Sequence, residues 1–215
     1  VYAPFAPKDW KKNPNQWLTN FDILNVMRQY EYTYPQFRFI GPSPIDFDAK
    51  PEDDKCVTPE ICTFNLAKER KAGKTQFGFV FNLDEHDEPG SHWVSLFVDV
   101  PNKFIYFFDS ASLVLPPQID VFIKRVQKQG LELEENPVEF KVYQNKVEHQ
   151  FGNTECGMYS LFFIITMLTG KIYSGVRKNK RGVSNVDLKK RMELFTYKKV
   201  TDKMIEKYRN VYYNG

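Results

Sequence analysis

The sequence predicts an α+β fold with a central sheet packed between helices. Three observations carry this. The middle of the chain holds three strand-length runs, Gln76 to Leu83, His92 to Val100 and Phe104 to Phe108, which are apolar on both faces and so read as strands covered on both sides. Helical spacings of apolar residues flank these runs toward both termini. Aromatic residues make up 16% of the 215, with 19 Phe and 12 Tyr, so core material is plentiful.

The elements follow in chain order. Residues 1–16 are rich in Pro and Lys and read as an N-terminal strap. A helical pattern begins near Trp17; Thr19 or Asn20 can cap it, Ile23, Leu24, Met27 and Tyr30 give the buried face, and Pro35 ends it. Gly41 to Lys55, with three Pro and five acidic residues, reads as a loop, and Cys62 to Arg70 as a short second helix. After the first strand the acidic turn Asp84 to Gly90 leads into the second. The Pro101-Asn102 turn is tight enough to make the second and third strands an antiparallel hairpin. Pro116 to Gln129 fits a helix with Ile119, Phe122, Ile123 and Val126 inward, and Val138 to Tyr143 alternates like another strand. Cys156 to Leu168 is apolar and of helical length; Asp187 to Tyr213 is amphipathic and Lys-rich. Residues 171–215 are therefore expected to form a basic, helical C-terminal region.

Composition excludes a disordered tail, a collagen and a coiled coil. No apolar run reaches the roughly 18 residues a bilayer needs, so no membrane association is expected. The chain starts with Val and reads as a trimmed domain. The net charge is only +3, but 13 Lys or Arg stand against four Asp or Glu from Lys171 onward. A patch of that kind can attract nucleic acid, an acidic protein or an anionic surface; a solvated helix face is the plainer reading. Three cysteines, an odd number, argue against a disulfide framework and suit a reducing intracellular compartment. Cys56 and Cys62 have no matching pair of Cys or His, so no metal site and no cofactor is expected. A monomer is expected.

Cys156 stands apart from the other two. The segment from His149 to Tyr159 is polar and glycine-bearing and leads straight into the apolar helix. A thiol at a helix start faces the positive end of the dipole, which favours the thiolate. Gly157 lets another backbone or a substrate approach closely. A Cys in an apolar helix is more often core packing than nucleophile, so partners decide the matter. A nucleophilic thiol needs a base and a group that orients it. His92 opens one strand and Asp109 closes the next, which puts both at one end of the hairpin. A strand-edge His and a turn Asp are commonplace singly; together, with a helix-start Cys, they are a specific combination.

The order His92-Trp93, Asp109-Ser110, Gln150 and Cys156-Gly157, at these separations, resembles the ubiquitin-like-protein proteases, the SUMO/NEDD8-type enzymes grouped with the adenovirus protease. The resemblance runs from about Trp17 to Leu168. It implies a single cysteine protease domain over residues 1–215, with the papain-like or ubiquitin-like-protease fold and its central mixed sheet between helices. It further implies Cys156 as nucleophile, His92 as general base and acid, Asp109 as the residue orienting His92, and Gln150 as an oxyanion donor. Trp93 resembles the tryptophan that roofs a narrow tunnel for a Gly-Gly tail. Trp17 resembles the second tunnel tryptophan, or packs into the core. Glu155 stands where the family often has Asp, and this, with the apolar run after Cys156, is more like the polyprotein-processing proteases of large nucleocytoplasmic DNA viruses. Asp109 keeps the form found in cellular members.

The substrates implied are ubiquitin or a ubiquitin-like modifier, cut after its Gly-Gly tail, or a viral structural polyprotein cut after a Gly-containing site. The setting would be the host cytoplasm, or the virion if the protein is viral. The adenovirus relative uses DNA as a cofactor, which keeps nucleic acid as a possible partner of the basic C-terminal region. A silent module that grips a modifier tail or nucleic acid is the alternative from another class. The intact set Cys156, His92, Asp109 and Gln150 argues against it.

Overall fold

The computed structural model describes residues 3–177 and 180–215. Seven helices are named α1 to α7 and seven strands β1 to β7 among these residues. Five strands form one mixed sheet in the order β1 (Phe37–Pro44), β2 (Gln76–Asn82), β3 (Trp93–Asp99), β4 (Phe104–Phe108), β5 (Lys141–Gln144). The central three pair antiparallel, and the two outer strands run parallel to their neighbours. The α+β architecture with a mixed sheet between helices is thus as the sequence predicts.

Both faces of the sheet are dry, which explains why its strands lack a polar phase. Phe77, Phe79, Phe81, Val94, Leu96 and Val98 point into one core. It is closed by α2 (Pro59–Cys62), α3 (Leu66–Lys71) and α4 (Pro117–Leu131). Val80, Trp93, Phe97, Tyr106 and Phe108 point into the other, against α1 (Asn20–Thr33), α5 (Cys156–Thr169), α6 (Leu188–Thr196) and α7 (Asp202–Tyr212). The alternation is that of any strand; here each face meets helices. Helix α5 is buried from Cys156 to Leu168 without a break, so it runs through the second core instead of lying over it.

Four expectations need correction. Gly41 to Pro44 is not loop but the end of β1, pairing Ser43 with Phe81 and Pro44 with Asn82. Proline removes a ladder donor, and β1 tolerates two because it is an edge strand. The stretch Cys62 to Arg70 is divided between α2 and α3, with Asn65 capping the latter through Lys68 N.

The C-terminal region is not helical throughout: β6 (Lys171–Arg177) and β7 (Lys180–Asn185) form a separate antiparallel hairpin before α6. Gly170 ends α5 in the left-handed conformation (φ +66°), and its carbonyl accepts from Val186 N to close the hairpin. The lysines that obscured this are compatible with either state when solvated; Lys189, Lys190, Lys198, Lys199, Lys203 and Lys207 are all exposed.

Finally, Cys56 and Cys62 are joined in a disulfide. An odd cysteine count excludes only complete pairing. A single bridge across five residues remained open, and Cys156 is the one free thiol among the described residues. No helix among those residues is long and apolar enough to cross a membrane.

Phe79 is fully buried and packs its ring against Phe64, Phe81 and Phe122. Phe79→Ala is expected to lower stability by about 3–5 kcal/mol. In urea titrations this appears as a lower midpoint with an unchanged slope.

Candidate active site

The β3–β4 hairpin places His92 and Asp109 at one sheet end, because Asn82 pairs with Trp93 and Ser95 with Phe108. His92 Nε2 lies 2.6 Å from Asp109 Oδ1. That bond uses Nε2 and leaves Nδ1 for Cys156, whose side chain also hydrogen-bonds the ring. Burial alone pulls the His92 pKa down, but the hydrogen bonds to Asp109 and Cys156 and the charge on both raise it to about 9. The imidazolium is therefore the form the site prefers at neutral pH, as a thiolate partner requires.

Asp109 is 1% exposed and held from several sides. Its Oδ1 accepts from Ala111 N at 2.9 Å and its Oδ2 from Leu113 N at 3.2 Å. Asn145, in the turn after β5, accepts from Asp109 N and donates to Asp109 O. Sequence reading passed over Asn145 because nothing links it to Asp109 until β5 pairs parallel with β4.

The segment leading to Cys156 is fastened on two sides. Backbone N–H groups of His149 and Gln150 both donate to Ser110 O at 2.9 Å, and Ser110 Oγ donates to Gln150 Oε1 at 2.6 Å. The carbonyl end of the Gln150 amide is thus occupied, which turns its NH₂ end free to donate. Asp202, at the start of α7, accepts from Phe151 N, Gly152 N and the Tyr159 hydroxyl. His149 serves structure: Val200 N donates to its Nδ1 and its Nε2 donates to Phe195 O, and burial lowers its pKa.

Cys156 is the first residue of α5 and 2% exposed. Gly157 behind it is tightly packed: a Cβ there would come 3.0–3.2 Å from three atoms of Leu18. The room expected beside Gly157 for a substrate is therefore occupied by Leu18, and the close approach is internal. Leu18 also accepts from Trp93 Nε1 at 3.2 Å. Together Leu18 and Trp93 form part of the wall of a cleft of about 790 Å³ whose other wall residues include Trp17, Phe21, Pro42 and Glu88. Trp93 is buried and Trp17 is 39% exposed, so Trp17 is not a core residue. Neither Cys156 nor Gly157 lines the cleft itself. Among the described residues no cluster of His, Cys, Asp or Glu could hold a metal ion.

The family model for the Ulp1 protease family, C-terminal catalytic domain, matches residues 79–201. The chain belongs to the Ulp1 protease family. Within that family it is 33% identical over 172 residues to R355 of Acanthamoeba polyphaga mimivirus, which carries the name of a thiol protease. It is 30% identical over 171 residues to the cysteine protease S273R of African swine fever virus. These alignments cover 80% and 76% of the chain, but it spans only 54% of R355 and 62% of S273R. Both relatives come from large nucleocytoplasmic DNA viruses. The crystal structure of the African swine fever virus pS273R protease superposes on 99% of the chain and 72% of its own length, with a TM-score of 0.73 at 24% identity. The yeast Ulp1 protease domain, solved in complex with the SUMO orthologue Smt3, covers 77% of the chain and 75% of its own length, with a TM-score of 0.53 at 16% identity. These likenesses extend the Ulp1-type fold over the chain.

Because the His92 pKa is raised in the folded state, the stability it contributes is fully present below about pH 6.5 and is lost as pH rises through about 9. Asp109→Asn keeps an acceptor and removes the charge. The His92 titration, followed by NMR at the ring C2 proton, is expected to move down from about 9, and the alkaline loss of stability with it. An unmoved titration would show that Asp109 does not set it.

Proposed function

We propose that this chain is a cysteine protease that hydrolyses peptide or isopeptide bonds after a Gly-Gly-type tail, with Cys156, His92 and Asp109 as its triad. The observation that carries the reading is the His92–Asp109 bond of 2.6 Å, made through Nε2 so that Nδ1 faces the thiol at the start of α5. The Cys156 thiolate attacks the carbonyl carbon that follows glycine. Gln150 Nε2 and the Cys156 backbone N–H donate to the oxyanion. His92 gives its proton to the departing amine, the thioester forms, and water, deprotonated by His92, releases the acid and the thiol.

The Trp-lined cleft supports a glycine-ended substrate. Leu18 and Trp93 are in hydrogen-bonded contact between the cleft and Cys156, so a chain threading there has room for backbone and little else. The modifier reading draws on the Ulp1 complex with Smt3 and on S273R homologues named as SUMO-1 cysteine proteases. The polyprotein reading draws on the viral origin of the relatives matched in sequence. Both share the chemistry at the scissile bond and differ in what surrounds it.

Electrophilic tail probes built on ubiquitin and SUMO separate the two readings. Capture of a modifier probe at Cys156 supports modifier cleavage. Hydrolysis of Gly-Gly-X peptides without capture of either modifier moves the substrate to a polyprotein. Full hydrolysis by Cys156→Ala would overturn the mechanism altogether. Gln150→Ala is expected to lower kcat by about 10²–10³ with KM nearly unchanged. An unchanged kcat would remove Gln150 from the oxyanion site.

A further inference from the structure

Glu155 directly precedes the thiol, and its carboxylate faces away from the active-site cleft, into the core. It is 2% exposed. Arg209 of α7, itself 5% exposed, meets it with a two-pronged contact: Nη2 to Oε1 at 2.8 Å and Nε to Oε2 at 3.2 Å. The same Nη2 donates to Gln16 O at 2.7 Å, one residue before Trp17, and the guanidinium lies 4.5 Å over the Trp10 ring. One side chain thus fastens the N-terminal strap and the start of α5 to the same point. Glu155 spends nothing on capping α5, since it makes no side-chain cap bond.

We propose that Glu155 and Arg209 are a positioning pair for the reaction, holding the Trp17 strap against the start of α5 and keeping the Glu155 charge from opposing the thiolate of Cys156. A buried ion pair is a poor way to gain stability, because an apolar pair of similar volume commonly does as well or better. Its placement, one residue from the nucleophile, gives the charge a use. Unpaired, Glu155 would either carry a negative charge beside the sulfur or hold a proton. Burial pushes its pKa up and Arg209 pulls it back, with Glu206 of α7 adding to the upward push and Thr154 hydrogen-bonding the ionised form. On the other side of Cys156 stand His92 and, behind it, Asp109. The inference rests on Cys156 as the nucleophile of the proposed reaction.

The test compares Arg209→Met, Glu155→Gln and the double variant. The rate of Cys156 alkylation by iodoacetamide is measured against pH, which reads the thiolate without any substrate. Hydrolysis of a Gly-Gly peptide and urea unfolding are measured alongside. Arg209→Met is expected to move the alkylation profile to higher pH, so that Cys156 reacts about tenfold more slowly near neutrality, one unit of titration. Glu155→Gln leaves Arg209 uncompensated and is expected to move it the other way. The double variant returns the profile to that of the wild type, while KM stays raised because Gln16 has lost its anchor.

Shifts in the same direction for both single variants, or a double variant as defective in alkylation as Arg209→Met, would overturn the charge role and leave a structural anchor. If Arg209→Met does not fold, Glu155→Gln and the double variant still decide the sign. Normal pH behaviour of alkylation in all variants, with a wild type that hydrolyses its peptide, sinks this inference alone. A wild type whose thiol alkylates but hydrolyses no substrate sinks the proposed function instead.

Discussion

A helix that is apolar on every side, as α5 is from Cys156 to Leu168, must be enclosed on every side before it is stable. The sheet supplies one wall, and α1, α6 and α7 supply the others. The burial that stabilises α5 also fixes where its first residue sits. Rotation of α5 would expose Phe162 or Phe163 to water, at a cost of about 1.5–3 kcal/mol for each such side chain. Cys156 therefore inherits its position from the core and needs no local bracing of its own.

The opposite holds for its partners. His92, Asp109 and Gln150 sit at a strand start, a strand end and in a loop, where packing constrains less. Polar contacts hold them instead. Ser110 takes the backbone donors of His149 and Gln150, and Asn145 clamps Asp109 from both its N–H and its carbonyl. Asp202 gathers the N–H groups of Phe151 and Gly152. The rigidity of the site is thus of two kinds, apolar under the thiol and hydrogen-bonded around it, and they meet at Glu155, where a buried charge closes the join.

Local features carried the sequence reading. Strands β2, β3 and β4 and helices α4 and α5 declare themselves in runs of a single period, and the tight turn at Pro101-Asn102 alone brings His92 and Asp109 to one end. Where pattern and contact are far apart, the reading failed. The prolines of β1 disguise an edge strand whose pairing lies about forty residues away. The lysines of β6 and β7 hide a hairpin, since they follow solvent exposure whatever the backbone does. Arg209 and Asn145 had no signal at all: one is an unremarked cation in a Lys-rich helix and the other an Asn in a turn. Each acquires its meaning from a partner that only the tertiary fold supplies.

The stretch matched by the Ulp1 family model, residues 79–201, contains His92, Asp109, Gln150 and Cys156 and excludes Trp10, Gln16, Trp17, Asp202 and Arg209. The groups proposed to break bonds thus lie inside the shared segment, and those that hold the strap or the loop before Cys156 lie outside it. Such a division has a physical basis. Acyl transfer fixes the reacting atoms to within fractions of an ångström, whereas the strap and α7 need only deliver one carbonyl, one guanidinium and one carboxylate to the rear of α5. Many sequences can meet the second requirement and few the first. Differences in substrate among proteins of this fold are therefore to be sought in the flanks, where Trp17 meets the cleft and Arg209 meets the strap.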